Sequence, residues 1–305
     1  MSDSTRRAVF LARSTALTLG LLAGCSAPSR SLTPATSVTT SDLGPCRSQT
    51  VWSTKVYGLS KTAAADLVRG LYGEAVPPGA TKKTQRAVFW WMIRALLVEG
   101  GYHNAAGMEL KGYRTAAGEP LRLYRSGYTA APQRPGSCFH HLVHQRGVRH
   151  VLNLYDGPMY TADLDAAEAS VVSAQGGQYS RDQSHWRDEM RDAWRARGTE
   201  GDKAYEAARA KAHRAVAHKI RHLLGIGGEP RRGHLHVHCG GGMHRTSMVV
   251  GVIDRCVNGT SAQVLAERYR RHVGWTGPDS PGGYEAQNLD FIESFPCALI
   301  RSPAR

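Results

Sequence analysis

The sequence predicts an α/β domain in which helices flank a mainly parallel central sheet. Short strand-like runs alternate with helical runs along the second half of the chain, a pattern typical of layered α/β folds. Strands are expected at about residues 121–125, 149–154, 177–181 and 234–238. A glycine-rich stretch directly follows the last of these strands, and such sheets bind ligands at the carboxyl ends of their strands. A ligand site is therefore expected at that end of the sheet.

Three segments justify the last strand and the helices around it. The run His234–His238 alternates around Leu235 and Val237, as expected for a strand with one apolar face. Residues 247–253 are mostly apolar and indicate the start of a buried helix. An alanine-rich, basic helix is expected upstream, over residues 203–224. A strand, a tight glycine turn and a helix N-terminus should therefore follow one another directly.

The α/β domain is expected to occupy residues 116–305, with a helical extension over residues 46–115 before it. Alanine and leucine at helical spacing within residues 62–72, and an apolar run within residues 85–99, predict this extension. The second run is too short to span a membrane, so it is expected to pack on the domain. A partner-binding or membrane-lying face is the alternative interpretation.

The N-terminus has the features of an export signal. Arg6 and Arg7 precede an apolar stretch at residues 15–22 that is too short to cross a membrane. The stretch runs into a Leu-Ala-Gly-Cys tetrapeptide that ends at Cys25 and resembles the processing box of bacterial lipoproteins.

This resemblance implies a signal peptide over residues 1–24 and a lipid anchor on Cys25. The mature protein would then lie on the extracytoplasmic face of the bacterial cell envelope. Residues 25–45 are rich in Ser, Thr and Pro and would tether the domain to the membrane. An uncleaved, disordered leader is the alternative.

The chain of 305 residues carries a formal net charge of +14 and has a pI of about 9.8. This charge favours anionic substrates or surfaces. The sequence has no zinc-finger spacing and no aromatic-basic RNA motif, so nucleic acid is not expected as a partner.

Six cysteines are present, of which Cys25 is the candidate for lipidation and Cys239 lies in the glycine-rich run. The remaining four can form disulfides in an oxidising compartment, although their spacing does not give the connectivity. They are Cys46, Cys138, Cys256 and Cys297.

The most informative motif is the run His238-Cys239-Gly240-Gly241-Gly242-Met243-His244-Arg245-Thr246, in which five residues separate the cysteine from the arginine. Backbone N–H groups and the dipole of the following helix would converge on one small space, which makes the loop an anion trap. The candidate phosphate-binding residues are Gly240, Gly241, Gly242, Met243, His244 and Arg245.

Each residue type in this motif suits covalent phosphoryl transfer. Cys239 would be the nucleophile, because an anion trap favours the thiolate over the thiol. Arg245 offers a planar fork that binds two phosphoryl oxygens, which a lysine cannot do. Thr246 would donate to the cysteine sulfur as the intermediate breaks down, and His238 would orient the loop from behind.

Two different interpretations compete with this one. Cys239 could be an ordinary core cysteine beside a glycine turn. The histidines at positions 234, 236 and 238 share one strand face, so a metal site must also be considered. The covalent mechanism requires neither metal nor cofactor, and it accounts for the cysteine, the glycines and the arginine together.

The motif resembles the active site of the cysteine-based protein tyrosine and dual-specificity phosphatases. Upstream, Leu123-Tyr124-Arg125-Ser126-Gly127 and residues 147–154 resemble the opening of the atypical dual-specificity branch. Downstream, residues 261–270 resemble the helix that follows the catalytic helix. The resemblance covers roughly residues 120–275 and implies hydrolysis of phosphomonoesters through a phosphocysteine intermediate.

The His-Arg-Thr ending of the motif resembles the plant and fungal atypical branch, which includes inositol pyrophosphate phosphatases. That branch usually has a lysine at the position of Met243, so this loop has one phosphate-facing charge fewer. We therefore expect phosphotyrosine-type protein substrates or other small anionic phosphoesters. The alternatives are an inositol (poly)phosphate phosphatase, a rhodanese-type sulfurtransferase and an inactive phosphate-binding lipoprotein.

The family uses an aspartate upstream of the cysteine as general acid. Trp186-Arg187-Asp188 resembles the tryptophan-proline-aspartate loop of tyrosine phosphatases, with arginine in place of proline, and makes Asp188 the candidate acid. Asp182 is the alternative, and Asp156 is a third candidate that directly follows the preceding strand. Asp188 could instead be a solvated charge on a polar helix over residues 187–192.

Overall fold

The computed structural model describes residues 43–46, 103–129, 131–155, 162–196, 201–273 and 282–300. Several sequence predictions lie outside these residues. They are the signal peptide, the Cys25 anchor, nearly all of the tether, the helices expected within residues 62–72 and 85–99, and Asp156.

The five strands of the described residues form one sheet in the order β1-β2-β5-β3-β4. They are β1 (Ala106–Arg114), β2 (Pro120–Gly127), β3 (Val148–Asn153), β4 (Gln178–Arg181) and β5 (His234–Cys239). Strands β2, β5, β3 and β4 are parallel, whereas β1 lies antiparallel to β2 at one edge. The predicted α/β class with a mainly parallel sheet is confirmed.

Seven α-helices accompany the sheet in the same part of the chain. They are α1 (Cys138–His144), α2 (Ala162–Ser173), α3 (Trp186–Ala196), α4 (Gly201–Leu224), α5 (His244–Ile253), α6 (Ala262–Val273) and α7 (Gly282–Ser294). A π-helical segment, Asp254–Asn258, extends α5, and a 3₁₀ turn, Cys297–Leu299, follows α7. The helix predicted over residues 203–224 is confirmed as α4. None of the described helices is both long and apolar enough to cross a membrane.

Strand β1 corrects the predicted helical extension. Residues 46–115 were expected to be helical, yet the sheet already begins at Ala106. Met108 and Leu110 alternate with Glu109 and turn into the core, which is the period of a strand and not of a helix. A tight turn, closed by the amide of Thr115 donating to the carbonyl of Glu119 at 2.8 Å, then leads into β2.

The sheet separates two apolar layers. One cluster joins the sheet to α3–α7 and contains Leu235 and Val237 of β5. The other cluster contains Phe139 of α1 and apolar residues of α2. The alternate side chains of β5 face this second layer, where the rings of His236 and Phe139 are 5.7 Å apart. Strand β5 is buried along its whole length, so Cys239 at its C-terminus lies between the two layers.

The parallel register brings three strand ends to one edge of the sheet. Gly127 of β2 pairs with Cys239, and Asn153 of β3 pairs with His238. Because parallel strands point the same way, the segments that follow these residues emerge side by side.

Two disulfides resolve the cysteine pairing that spacing alone leaves open. Cys46 pairs with Cys138 at the start of α1, and Cys256 pairs with Cys297. Cys239 is the free cysteine of the described residues, and it is buried.

Candidate active site

Cys239 ends strand β5, and the glycine loop that follows leads directly into α5 at His244. The expected succession of strand, tight loop and helix is therefore present. Only 6% of the Cys239 surface is exposed, so its thiol lies at the bottom of the loop and not on the protein surface.

The carbonyl groups of the loop are held by residues from the neighbouring strand ends. The amide of Tyr128 donates to the carbonyl of Gly240 at 3.2 Å. The side-chain amide of Asn104 donates to the carbonyls of Gly241 at 3.2 Å and Gly242 at 3.1 Å. In a trans peptide the N–H group points in the opposite direction to the carbonyl group. The N–H groups of Gly241, Gly242 and Met243 therefore point away from Tyr128 and Asn104. This arrangement suits anion binding.

Arg125 supports the same loop from β2. Its guanidinium donates to the carbonyl of Gly242, and to Oγ of Ser247 at 2.9 Å. Burial lowers the pKa of Arg125 to about 10, an effect that negative charge on Cys239 and Tyr269 opposes. The side chain therefore stays cationic at neutral pH. The family resemblance includes Arg125 without implying a role for it, and no sequence signal pointed to Asn104.

Two glycines allow this close contact between β2 and the loop. Gly242 has φ +64, and a Cβ atom there would lie 2.6 Å from the backbone nitrogen of Gly127. A Cβ atom on Gly127 would lie 2.9 Å from the carbonyl oxygen of Gly240. Both contacts are with backbone, which cannot move aside as a flexible side chain could.

Arg245 lies in the first turn of α5, and its guanidinium is 3.3 Å from Oδ2 of Asp188. Asp188 lies in the first turn of α3, and its Oδ1 is 2.8 Å from Arg191. An acidic side chain is favoured at a helix N-terminus by the helix dipole. The structure thus brings Asp188 to the arginine of the loop.

The second candidate acid, Asp182, lies in a different environment. Its carboxylate accepts hydrogen bonds from the Ser184 amide at 2.9 Å, the Ser184 hydroxyl at 2.5 Å and Nε1 of Trp186 at 2.9 Å. It also pairs with Nζ of Lys219 at 2.9 Å. Burial would raise the pKa of Asp182, but hydrogen bonds from Lys219 and Ser184 outweigh burial and lower it. Asp182 therefore joins β4, α3 and α4 as an ionised structural residue.

His238 and Thr246 are both fully buried beside the nucleophile. Nε2 of His238 lies 3.0 Å from Oε2 of Glu168 on α2. The hydroxyl of Thr246 makes no hydrogen bond within the described residues, so it keeps its capacity to donate. Glu168 was not singled out in the sequence, where it is one of several acidic residues in an alanine-rich helix.

The side chains of Met243 and His244 differ in environment. Met243 is 8% exposed and belongs to the apolar cluster, so only its backbone can make the contribution to phosphate binding that was expected of it. His244 is half-buried, with Nδ1 3.4 Å from the hydroxyl of Tyr269. That hydroxyl accepts a hydrogen bond from Asn288 at 2.6 Å, so α6 and α7 hold the start of α5.

The three histidines of β5 do not gather into a metal site. No group of three or more His, Cys, Asp or Glu side chains is placed to hold a metal ion in the described ranges. Ser126 donates to the carbonyl of Gly127 at 2.5 Å, and Nε2 of His236 lies 2.9 Å from the same hydroxyl. Burial, with a smaller contribution from His238, lowers the pKa of His236 well below 6.5. His236 is therefore neutral and donates to Ser126.

No family model and no curated protein sequence matches this chain. Among solved structures it is similar to the core catalytic domain of the PP-IP phosphatase SIW14 from S. cerevisiae, solved in complex with citrate. The two share 17% sequence identity, with a TM-score of 0.32, over 57% of this chain and 80% of that one.

Proposed function

We propose that the protein is a phosphatase that hydrolyses phosphomonoesters through a phosphocysteine intermediate on Cys239. One observation carries the proposal. A buried cysteine, a glycine loop with its carbonyls turned outward and an arginine paired with the Asp188 carboxylate occupy the carboxyl edge of one sheet. This arrangement supplies a nucleophile, an oxyanion-binding loop and a proton donor.

In the first step, the loop amides and Arg245 bind the phosphoryl oxygens of the substrate. Sγ of Cys239 attacks phosphorus, and the bond from phosphorus to the ester oxygen breaks. Asp188 donates its proton to that oxygen as it leaves. The phosphoryl oxygens replace the Asp188 carboxylate on the Arg245 guanidinium, and the released carboxylate takes up a proton from solvent before it donates that proton to the leaving group.

In the second step, water attacks phosphorus and the sulfur–phosphorus bond breaks. The Asp188 carboxylate accepts the proton of the water, and inorganic phosphate is released. The departing sulfur carries a negative charge that a hydrogen-bond donor stabilises. Thr246 is suited to donate to this sulfur, because its buried hydroxyl makes no other hydrogen bond within the described residues.

The experiment that tests the proposal compares variants on p-nitrophenyl phosphate. Cys239→Ser should abolish turnover while phosphate binding persists. Arg245→Lys should lose most activity, because a point charge cannot bind two oxygens in a fork. Arg114→Lys, at an exposed position before β2 and at the opposite end of that strand from Gly127, is the matched control and should keep full activity. Full activity of Cys239→Ser would rule out the phosphocysteine mechanism.

For the natural substrate we propose phosphotyrosine-type proteins or small anionic phosphoesters, with inositol (poly)phosphates as the alternative. The net charge of +14 supports an anionic substrate. The burial of Met243 supports a loop without an additional cation at that position. A panel of phosphopeptides and inositol phosphates, compared by kcat/KM, decides between them.

A sulfurtransferase and an inactive phosphate-binding protein would give different results in the same assays. A rhodanese-type sulfurtransferase would act on thiosulfate and leave p-nitrophenyl phosphate intact. An inactive phosphate-binding protein would bind phosphate but turn over neither compound. Orthovanadate should inhibit the phosphatase, whereas chelators should have no effect.

We also propose that the enzyme acts outside the cytoplasm, anchored through Cys25. Two disulfides support an oxidising compartment, because such bonds rarely persist in a reducing cytosol. Full-length protein expressed in a bacterium should fractionate with membranes, and Cys25→Ala should release it or leave it unprocessed. Mass spectrometry that finds an intact N-terminal leader on the mature protein would contradict this proposal.

A further inference from the structure

A basic cavity lies at the edge of the sheet opposite to Cys239. It has a volume of about 300 Å³ and is found at the amino ends of β2, β3 and β5. Five positions of β5 separate His234, which lines the cavity, from Cys239, and this corresponds to about 16 Å of extended chain. The cavity is therefore separate from the catalytic loop. Its lining contains four arginines, which are Arg122, Arg146, Arg149 and Arg232.

The fold brings these arginines together from separate segments. Arg122 lies in β2 and Arg149 lies in β3, the two strands that flank β5 in the sheet. Arg146 belongs to the turn between α1 and β3, and Arg232 shortly precedes β5. The first and the last of them are 110 positions apart in the chain. The cluster is thus a product of the tertiary structure and not a basic run in the sequence.

Close backbone packing fixes the shape of the cavity. Gly147 has φ +64, and its carbonyl accepts the amide of His234 at 2.9 Å. A Cβ atom on Gly233 would lie 2.4 Å from the same carbonyl oxygen and 2.5 Å from Cγ of Arg149. Nη1 of Arg149 donates to the carbonyl of Val143 at 2.7 Å, at the end of α1. The guanidinium of Arg149 is therefore held in place before any ligand binds, which lowers the entropic cost of binding.

Positive charge predominates around the cavity. Glu119 is an acidic residue of the lining, and Glu109 of β1 lies 3.6 Å from Arg122. The hydrogen bonds of Arg149 go to neutral carbonyls, which do not compensate its charge. Burial, and to a smaller extent Arg122, lowers the pKa of His234 below 6.5, so this ring is neutral at pH 7. A cleft lined mainly by one sign of charge concentrates counter-ions.

We propose that this cavity binds a compact anion that carries two or more phosphate groups. Guanidinium groups bind phosphate oxygens in pairs, which makes clustered arginines suited to phosphate recognition. The volume of about 300 Å³ is at the lower end of the range for small-molecule sites and exceeds what one phosphate group requires. A soluble compound and a lipid headgroup present the same phosphates, so both are sources of the ligand. The proposal is independent of the chemistry proposed for Cys239.

The first test titrates methylenediphosphonate into the purified full chain by isothermal titration calorimetry. This probe carries two phosphonate groups, and phosphatases do not hydrolyse it. Arg232→Gln is the main variant, because the exposed side chain of Arg232 is the least able to disturb the fold. It should raise Kd roughly tenfold, the factor expected for the loss of one charge-assisted hydrogen bond. Arg122→Gln should have a similar effect.

Arg214→Gln is the matched control, since it removes the same charge from an exposed position of α4. Its Kd should equal that of the wild type. If Arg214→Gln weakens binding as much as Arg232→Gln does, the anion responds only to the net charge of the protein, and the proposal is wrong. Wild-type protein that does not bind the probe, or binds it no better than Arg232→Gln, would also overturn the proposal.

Arg245→Lys separates the cavity from the loop that contains Cys239. Binding that Arg245→Lys retains and Arg232→Gln weakens belongs to the cavity. Binding that is lost in Arg245→Lys and unchanged in Arg232→Gln would place the anion at the loop alone and overturn the proposal. Failure of the proposed function is distinguishable, because the protein would then lack phosphatase activity while binding of the probe still depended on Arg232.

Vesicles distinguish the two sources of the ligand. A Cys25→Ala chain is sedimented with phosphatidylcholine vesicles that contain cardiolipin, whose headgroup carries two phosphates, and with vesicles of phosphatidylcholine alone. Binding to the cardiolipin vesicles that Arg232→Gln weakens, and Arg214→Gln does not, identifies a lipid headgroup as the ligand. Binding of methylenediphosphonate without binding to these vesicles identifies a soluble ligand. Both results support the proposal, whereas binding that is independent of Arg232 in both assays contradicts it.

Discussion

The carboxylate of Asp188 lies 3.3 Å from the guanidinium of Arg245, although 57 positions separate the two residues in the chain. The contact joins the first turn of α3 to the first turn of α5, where both helix N-termini face the same region. A carboxylate held against the arginine that we propose binds phosphate is placed to reach a phosphoester bound there. Asp188 is therefore the stronger candidate for the general acid, and Asp182 is structural.

Asp188→Asn should lower kcat about 10²–10⁴-fold on phenyl phosphate, the range typical of general acids. The loss should be much smaller on p-nitrophenyl phosphate, because nitrophenolate leaves without a proton. Steady-state kinetics on both substrates measure the difference. Asp192→Asn, at a 65% exposed side chain on the same helix that also pairs with Arg191, is the control and should have little effect.

Equal losses on the two substrates would contradict a general-acid role for Asp188. The contact with Arg245 would then act by orienting the guanidinium, and KM would rise for both compounds. If Asp182→Asn instead shows the dependence on leaving group, the acid is Asp182 and the structural role assigned to it is wrong.

Asp182→Asn should reduce stability and leave the chemistry nearly intact. The substitution removes the negative charge that pairs with Lys219. It should lower the free energy of unfolding by about 1–3 kcal/mol, because buried hydrogen-bond partners are left unsatisfied. The pKa of Asp182 in the folded protein is lowered from 3.8. The ionised carboxylate therefore contributes fully to the free energy of unfolding above pH 3.8, and this contribution is lost as the pH falls through the lowered pKa. Urea unfolding should therefore show a lower free energy of unfolding for Asp182→Asn than for the wild type at pH 7, and this difference should shrink below about pH 4. A difference that grows on acidification would be the opposite of this expectation.

Gly242→Ala should abolish activity and destabilise the fold. The substitution combines a positive φ with a contact 2.6 Å from the Gly127 backbone nitrogen. Gly118→Ala is the control, since Gly118 has φ +82 but open space around the position of its Cβ. It should cost only about 1–2 kcal/mol for the left-handed conformation and keep full activity. Thermal unfolding measures the loss of stability, and the p-nitrophenyl phosphate assay measures the loss of activity. A fully active Gly242→Ala variant would show that the close contact between the loop and β2 is not required for activity.

Removing the Cys46–Cys138 disulfide should destabilise the protein more than removing the Cys256–Cys297 disulfide. The first closes a sequence separation of 92 residues and the second one of 41. In the loop-entropy model the two bonds contribute about 4.6 and about 3.9 kcal/mol, so the longer loop adds roughly 0.7 kcal/mol. Denaturant unfolding of Cys46→Ser and Cys256→Ser measures both values. The reverse order would show that native-state contacts, and not chain entropy, dominate.

Local patterns predicted the parts of the fold that depend on neighbours in sequence. The alternation around Leu235 and Val237 predicted β5, and the apolar run after Thr246 predicted α5. Strand β1 was missed, because two glycines and three charged residues in its nine positions weaken the alternation of Met108 and Leu110. Its assignment depends on pairing with β2, which no local pattern in β1 reveals.

Sequence patterns were sufficient for the α/β class, for the succession of strand, glycine loop and helix, and for Cys239 and Arg245 as the candidate reactive pair. These features depend on side-chain periodicity, backbone sterics and the chemistry of adjacent residues. Distinguishing Asp188 from Asp182 required the folded chain, because the two carboxylates differ in partners that lie far away in sequence, Arg245 and Lys219. The disulfide pairing and the place of Glu168 behind the nucleophile also follow from the fold, since packing brings distant helices onto one sheet.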